Sequence, residues 1–209
     1  MLHIFDFGER VDGYEVKVLN ERELRAGAGI LFLVALLSFV NCLVMKSIVI
    51  MQTFVWLFLA EFIIRVLINP KYAPSLLLGR FMVNNQIPEY VGAKQKRFAW
   101  SIGLLLAMFF FFLTTIFPST TPIGEESLHN ALIGLSCMIC LVLLYFEAVF
   151  GICLGCKLYN LFNKEEAQYC AGATCEKHER AECQKFSISQ LVVLGIFFLV
   201  VVGMILRLV

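Results

Sequence analysis

The chain has 209 residues, of which 60% are hydrophobic and 16% charged, and this balance excludes a water-soluble globular domain. Its formal net charge is +1, and its basic residues sit at the edges of apolar runs rather than on one clustered face, which excludes a nucleic-acid partner. An all-α membrane protein is expected, with a four-helix transmembrane core, a fifth C-terminal transmembrane helix and the lipid bilayer as its solvent.

Residues 1–25 precede the first span. Within them, Ile4–Gly8 and Tyr14–Val18 flank a turn signal at Val11, Asp12 and Gly13, so a short amphipathic hairpin at the membrane surface competes with a plain tail. The opening residues are mixed in charge and no cleavable signal peptide is expected. Runs long enough to cross a hydrocarbon core follow at Ala26–Met45, Ile48–Ile68, Phe98–Phe117, Ala131–Cys153 and Ile188–Leu206. Lys46 and Ser47 leave room only for a tight turn, so the first two spans form a helical hairpin. Residues 26–162 then make the four-helix domain, residues 163–187 a Cys-rich loop, and residues 188–209 the fifth span.

Arg22, Arg25, Arg65, Lys71, Arg80, Lys94, Lys96, Arg97, Lys157 and Lys164 fall on one set of connections, whereas Pro118–Asn130 holds Glu125 and Glu126 and no Lys or Arg. The positive-inside bias places the N-terminus and the second and fourth connections in the cytoplasm and the C-terminus outside, as in a bacterial inner membrane.

Charges within the spans need partners. Glu61 and Arg65 are four residues apart, hence on one helix face, and an internal ion pair is the simplest account. Glu147 has no charged neighbour on its own helix; pairing with Arg65, proton handling and substrate orientation are all open to it.

Cys153 and Cys156 form a C-x-x-C pair where the fourth span meets the basic fourth connection. Such a dithiol can form a disulfide, carry sulfane sulfur or ligate a metal, and each role requires thiolate character. A plain helix contact between small apolar side chains is the alternative. At the C-terminal end of a helix the macrodipole raises thiol pKa values, so activation requires nearby cations, for which Arg65, Lys157 and Arg97 are the candidates, or a helix break at Gly151 or Gly155. The cytosol disfavours a permanent structural disulfide there. Cys42, Cys137 and Cys140 lie in apolar helix and are expected to pack. Cys170, Cys175, His178 and Cys183 supply soft ligands for a possible zinc site, although their spacing lacks a paired knuckle.

Several stretches carry a family resemblance: Val18–Glu21, Glu61–Arg65, Pro70–Pro74, Lys96–Ala99 and, most specifically, Gly151–Tyr159 with its G-x-C-L-G-C element. In these the chain resembles the bacterial integral membrane family catalogued as domain of unknown function 4395. The resemblance implies the membrane core, points to Cys153 and Cys156 as the site, and by association implies a rhodanese-like or thioredoxin-like protein partner. The leading expectation is handling of reduced sulfur, by relay or transport of a sulfane or thiol species. In it either Cys156 or Cys153 is the nucleophile and the other resolves it, and Glu147 manages a proton. A quinone-linked membrane thiol–disulfide oxidoreductase and a non-enzymatic subunit with a metal-binding or structural cysteine cap are the other two readings.

Overall fold

The computed structural model describes residues 7–118, 127–162, 169–170 and 187–208. They form an all-α membrane protein in which four helices are long and apolar enough to cross a bilayer. Helix α1 spans Glu21–Met45, α2 spans Val49–Ile63, α3 spans Pro74–Val83, α4 spans Ala93–Phe111, α5 spans Leu128–Tyr145, α6 spans Leu154–Phe162 and α7 spans Ile188–Leu208. Two compact units divide the chain at Glu176 and Lys177.

In the first unit, α1 begins at an Asn20 cap whose side chain accepts the Arg22 N–H, while the Asn20 amide donates to Glu23 Oε1 at 3.1 Å. This arrangement satisfies orphan donors of the first turn and places Glu21 and Glu23 at the positive end of the helix dipole. The expected tight turn follows α1: Lys46 adopts a left-handed conformation with φ 53°, and α2 starts at Val49. Three helices widen into a π-helical turn at their ends, at Ile64–Ile68 after α2, Phe112–Ile116 after α4 and Phe146–Phe150 after α5. Such turns rotate side chains out of the regular helical register. The first carries Arg65 and the third Glu147.

The third span differs from its expected start. Helix α4 begins at Ala93 instead of Phe98, because residues 90–92 form strand β2, which pairs antiparallel with β1 at Val18–Asn20 and so fixes where the helix can begin. The N-terminal hairpin is realised in part: Glu9 and Val18 exchange both backbone hydrogen bonds at 2.9 Å around a turn with Gly13 at φ 91°. Its second arm then continues into β1, so this arm is tied to the second connection. Residues 1–6 lie outside the described residues.

The second connection also builds α3, a helix that the span pattern does not predict. Asn69 caps a 3-10 turn at Pro70–Tyr72, and Pro74 opens α3. Helix α3 lies against α1, where a Cβ on Gly79 would stand 2.7 Å from the Glu23 carbonyl oxygen. Only glycine permits that approach. Leu78, Phe81 and Met82 face outward from α3. An apolar outer face on a short helix at the charged end of the spans suits the boundary between hydrocarbon and headgroups. Ion pairs between Lys71 and Glu9 at 2.9 Å, Arg80 and Glu23 at 3.0 Å, and Arg22 and Glu89 join the connections at this end.

The interior is apolar and helical, built from Leu31, Ala35, Phe54, Phe58, Phe62, Trp100, Leu104 and Leu141, among others. Cys42 and Cys137 are buried in this core as expected, and Cys140 packs against it. Outward-facing Leu37, Leu57, Leu105 and Val142 present apolar surface to the bilayer. The second unit contains α7, a 21-residue helix whose first turn is capped through Ser187 and Gln190.

Candidate functional site

The fourth span does not run through Cys153. Helix α5 and its π-helical turn stop at Gly151, which sits at φ 65°. A left-handed residue at this position is a common helix terminator, and glycine takes it without a Cβ clash. Arg25 from α1 donates to the Val149 carbonyl at 3.1 Å, occupying one of the carbonyls that the helix end leaves free.

The chain then restarts as α6 at Leu154, with Cys153 in the capping position. Its carbonyl accepts the Cys156 and Lys157 N–H groups at 3.0 and 3.2 Å. The Cys156 thiol and backbone N–H both favour the thiolate form of Cys153. Hence the dipole argument changes sign. Cys153 occupies the positive, N-terminal end of a helix, where a thiolate is stabilised, instead of the negative end of α5. Of the two expected routes to activation, the glycine break is present at Gly151. Gly155 has another role: a Cβ there would stand 2.5 Å from Ala99 Cβ and 2.7 Å from Ala99 Cα, so its absence lets α6 press against α4. The G-x-C-L-G-C element thus reads as terminator, cap, close-packing residue and hydrogen-bond donor in order.

The cation at the thiols is Lys96, not one of the three candidates named from sequence. Lys96 is buried at 1% exposure and pairs with Glu147 at 2.9 Å. Its ammonium favours the thiolate of Cys153, while the Glu147 carboxylate opposes it. Cys153 and Cys156 are both buried and both free thiols. The Cys153 thiol is held below the ordinary thiol range, first by the hydrogen bond from Cys156 and then, against the cost of burial, by Lys96. Cys156 is pushed the other way, because it donates that hydrogen bond and is itself buried. The two shifts run in opposite directions, down for Cys153 and up for Cys156, so the pair is polarised towards a Cys153 thiolate.

The other candidates are engaged elsewhere. Arg65 donates Nε–H to Glu61 at 2.8 Å, also bonds Ser75, and lies over the rings of Phe62 and Trp100. Glu61 in turn accepts the Ser75 hydroxyl and N–H at 2.6 and 3.2 Å, so the expected Glu61–Arg65 pair is present and saturated. Arg97 donates to the Val66 carbonyl at 3.2 Å and stacks over Phe7. Lys157 is exposed. The open possibility that Glu147 pairs with Arg65 gives way to its pair with Lys96.

Of the soft ligands in the Cys-rich loop, Cys170 is described. It is buried and disulfide-bonded, which leaves no thiolate there for a zinc ion. Cys175, His178 and Cys183 lie outside the described residues, and among the described residues no cluster of three metal ligands occurs.

Sequence reasoning missed Lys96 as a site residue because it stands before the expected start of the third span and reads there as a topology charge and part of a family-like stretch. The available signal was Glu147, an in-span carboxylate whose partner had to come from another helix. Beside this cluster lies a cavity of about 290 Å³ between α2, α4, α5 and α6, whose lining includes Cys153, Glu147, Trp100 and Phe62.

Fold and site together define a polytopic α-helical membrane protein with a buried, polarised dithiol at the charged end of its bundle. Residues 19–164 match the model of the family described as domain of unknown function (DUF4395), and the chain belongs to that family. No curated protein and no solved structure matches the chain.

Proposed function

We propose that this protein handles reduced sulfur at the membrane, with Cys153 as the attacking thiolate. The observation that carries this reading is the position of Cys153 at the start of α6, hydrogen-bonded by Cys156 and facing the Lys96–Glu147 pair. In the simplest cycle the Cys153 thiolate attacks the outer sulfur of a persulfide, R–S–SH. The S–S bond of the donor breaks, RS⁻ leaves, and Cys153 carries the sulfane sulfur as a persulfide. An acceptor thiolate reverses the step, so sulfur moves without net oxidation.

Cys156 serves as hydrogen-bond donor to the thiolate and its persulfide, and as the resolving thiol when a disulfide forms. Glu147, paired with Lys96, holds the proton balance of the site. A soluble rhodanese-like or thioredoxin-like protein suits the role of donor or acceptor. The basic connections favour an inner-membrane orientation with this end in the cytoplasm and α7 crossing to the outside.

Intact-mass measurement of the purified full chain after exposure to a low-molecular-weight persulfide tests the reading. A gain of about 32 Da per sulfur atom on Cys153, lost in Cys153→Ser, is expected. No sulfur gain, or a gain that persists in Cys153→Ser, would remove it.

A further inference from the structure

Arg25 reads in the sequence as a charge flanking the first span, and in the fold it reaches the end of α5. Helix α1 packs against the π-helical turn at Phe146–Phe150. At the end of that turn the Phe146 carbonyl accepts the N–H groups of Gly151 and Ile152, the second at 3.1 Å. Arg25 Nη2 donates to the Val149 carbonyl at 3.1 Å. The same guanidinium fills the space beside Gly151: a Cβ on that residue would stand 3.0 Å from Arg25 Nη1, 3.2 Å from Arg25 Cζ and 3.1 Å from Glu21 Oε1. Glycine here takes φ 65° and also leaves room for the arginine.

The C-terminal end of a helix carries partial negative charge, and a cation seated there offsets it. Cys153 follows Gly151 by two residues and opens α6, so its thiolate is favoured by the start of α6 and opposed by the end of α5. The charged and titratable groups set around it are Lys96 on α4, Glu147 on the π-helical turn and Cys156 on α6. Arg25 and Glu21 on α1 flank the glycine between the two helices. Lys96 and Glu147 neutralise each other in part, so the helix ends weigh more in the balance. We infer that Arg25 is a positioning residue for Cys153: by holding the Val149 carbonyl and the side of Gly151 it fixes where α5 stops, keeps the start of α6 on Cys153 and offsets the negative helix end beside the thiolate. Its action runs through the backbone of residues 149–151. The inference rests on the reading of Cys153 as the attacking thiolate and adds the group that holds it in place.

Mass-resolved iodoacetamide alkylation of Cys153 in the full chain across pH, beside a thermal melt of each protein in detergent, tests the role. Arg25→Ala should move the alkylation midpoint upward and slow the reaction near neutral pH about two- to fivefold, the size of a helix-end charge effect. Arg25→Lys keeps the charge without the planar fork and should recover part or all of the rate. Arg22→Ala removes an equal charge from the start of α1, where Arg22 pairs with Glu89, and should leave the midpoint in place. A midpoint unmoved in both Arg25 variants, or moved equally by Arg22→Ala, overturns the inference whatever the melts show. If Arg25→Ala does not fold, the Arg25→Lys profile decides alone, a raised midpoint supporting the role and an unmoved one removing it. Persulfide loading of Cys153 is a separate readout: loading without a midpoint shift removes Arg25 and leaves the sulfur reading, and a shift without loading does the reverse.

Discussion

Two buried charge clusters lie at the same end of this bundle, and they solve the same problem in different ways. Around Arg65, every strong partner is fixed: Glu61 Oε1 at 2.8 Å, the Ser75 hydroxyl, and two aromatic faces. Around Lys96, the ion-pair partner among the described residues is Glu147 at 2.9 Å, and the remaining field falls on two thiols that can lose protons and form bonds. The first cluster is closed, joining α2 to the start of α3. The second borders a cavity and holds titratable sulfur. Buried charge alone therefore does not mark a site; buried charge beside a group with chemistry left to do is the useful signal.

Substitutions can break this contrast in order of expected size. Arg65→Met leaves the Glu61 carboxylate buried without its cation, and a loss of about 3–5 kcal/mol is expected, read as a large fall in thermal stability in detergent. A stable Arg65→Met protein would show that the closed cluster holds little together. Lys96→Met combined with Glu147→Gln removes charge from the second cluster without stranding a partner. That pair should fold, and alkylation of Cys153 near neutral pH should slow by less than the loss of Lys96 alone would cause, because Glu147 opposes the thiolate that Lys96 favours. Unchanged or faster alkylation would show that Lys96 does not outweigh Glu147 at the thiol.

Smaller effects sharpen the local account. Gly155→Ala sets a Cβ 2.5 Å from Ala99 Cβ, so α6 must shift away from α4; about 1–3 kcal/mol of stability should be lost, with slower Cys153 alkylation. Gly151→Ala asks an alanine to hold φ 65°, at a cost of about 1–2 kcal/mol. The chemistry of Cys153 should survive that change if the terminator alone is strained. Denaturant titration followed by mass-resolved alkylation checks both.

Much of this was legible in the chain. Hydropathy located the four spans, Lys46 and Ser47 marked the hairpin, and the four-residue spacing of Glu61 and Arg65 gave their pair, because these are local periodicities. The C-x-x-C located the thiols, and Gly151 was one of two places where a helix break was expected. What escaped depends on contacts between distant segments. Helix α4 starts early because Val18–Asn20 finds Tyr90–Gly92, and Lys96 enters the site only through that earlier start. Helix α3 escaped because its ten residues fall short of a span and its core-facing side is set by Gly79 meeting α1. The restart at Cys153 reverses the helix field on the thiol, and only the backbone path after Gly151 reveals that restart.

We propose that Cys153 is the activated thiol of an unequal pair. Because its proton affinity is lowered, its thiolate is present below the ordinary thiol range and is lost only as pH falls through the lowered folded value; any stability it lends follows the same direction, present at high pH and lost on acidification. Mass-resolved alkylation of the native full chain across pH, with Cys153→Ser and Cys156→Ser variants, measures this directly. One thiol, Cys153, should react with a midpoint below that of a free cysteine, and Cys156→Ser should move that midpoint upward. Two thiols reacting together at or above the ordinary thiol midpoint, unmoved by Cys156→Ser, would contradict the account.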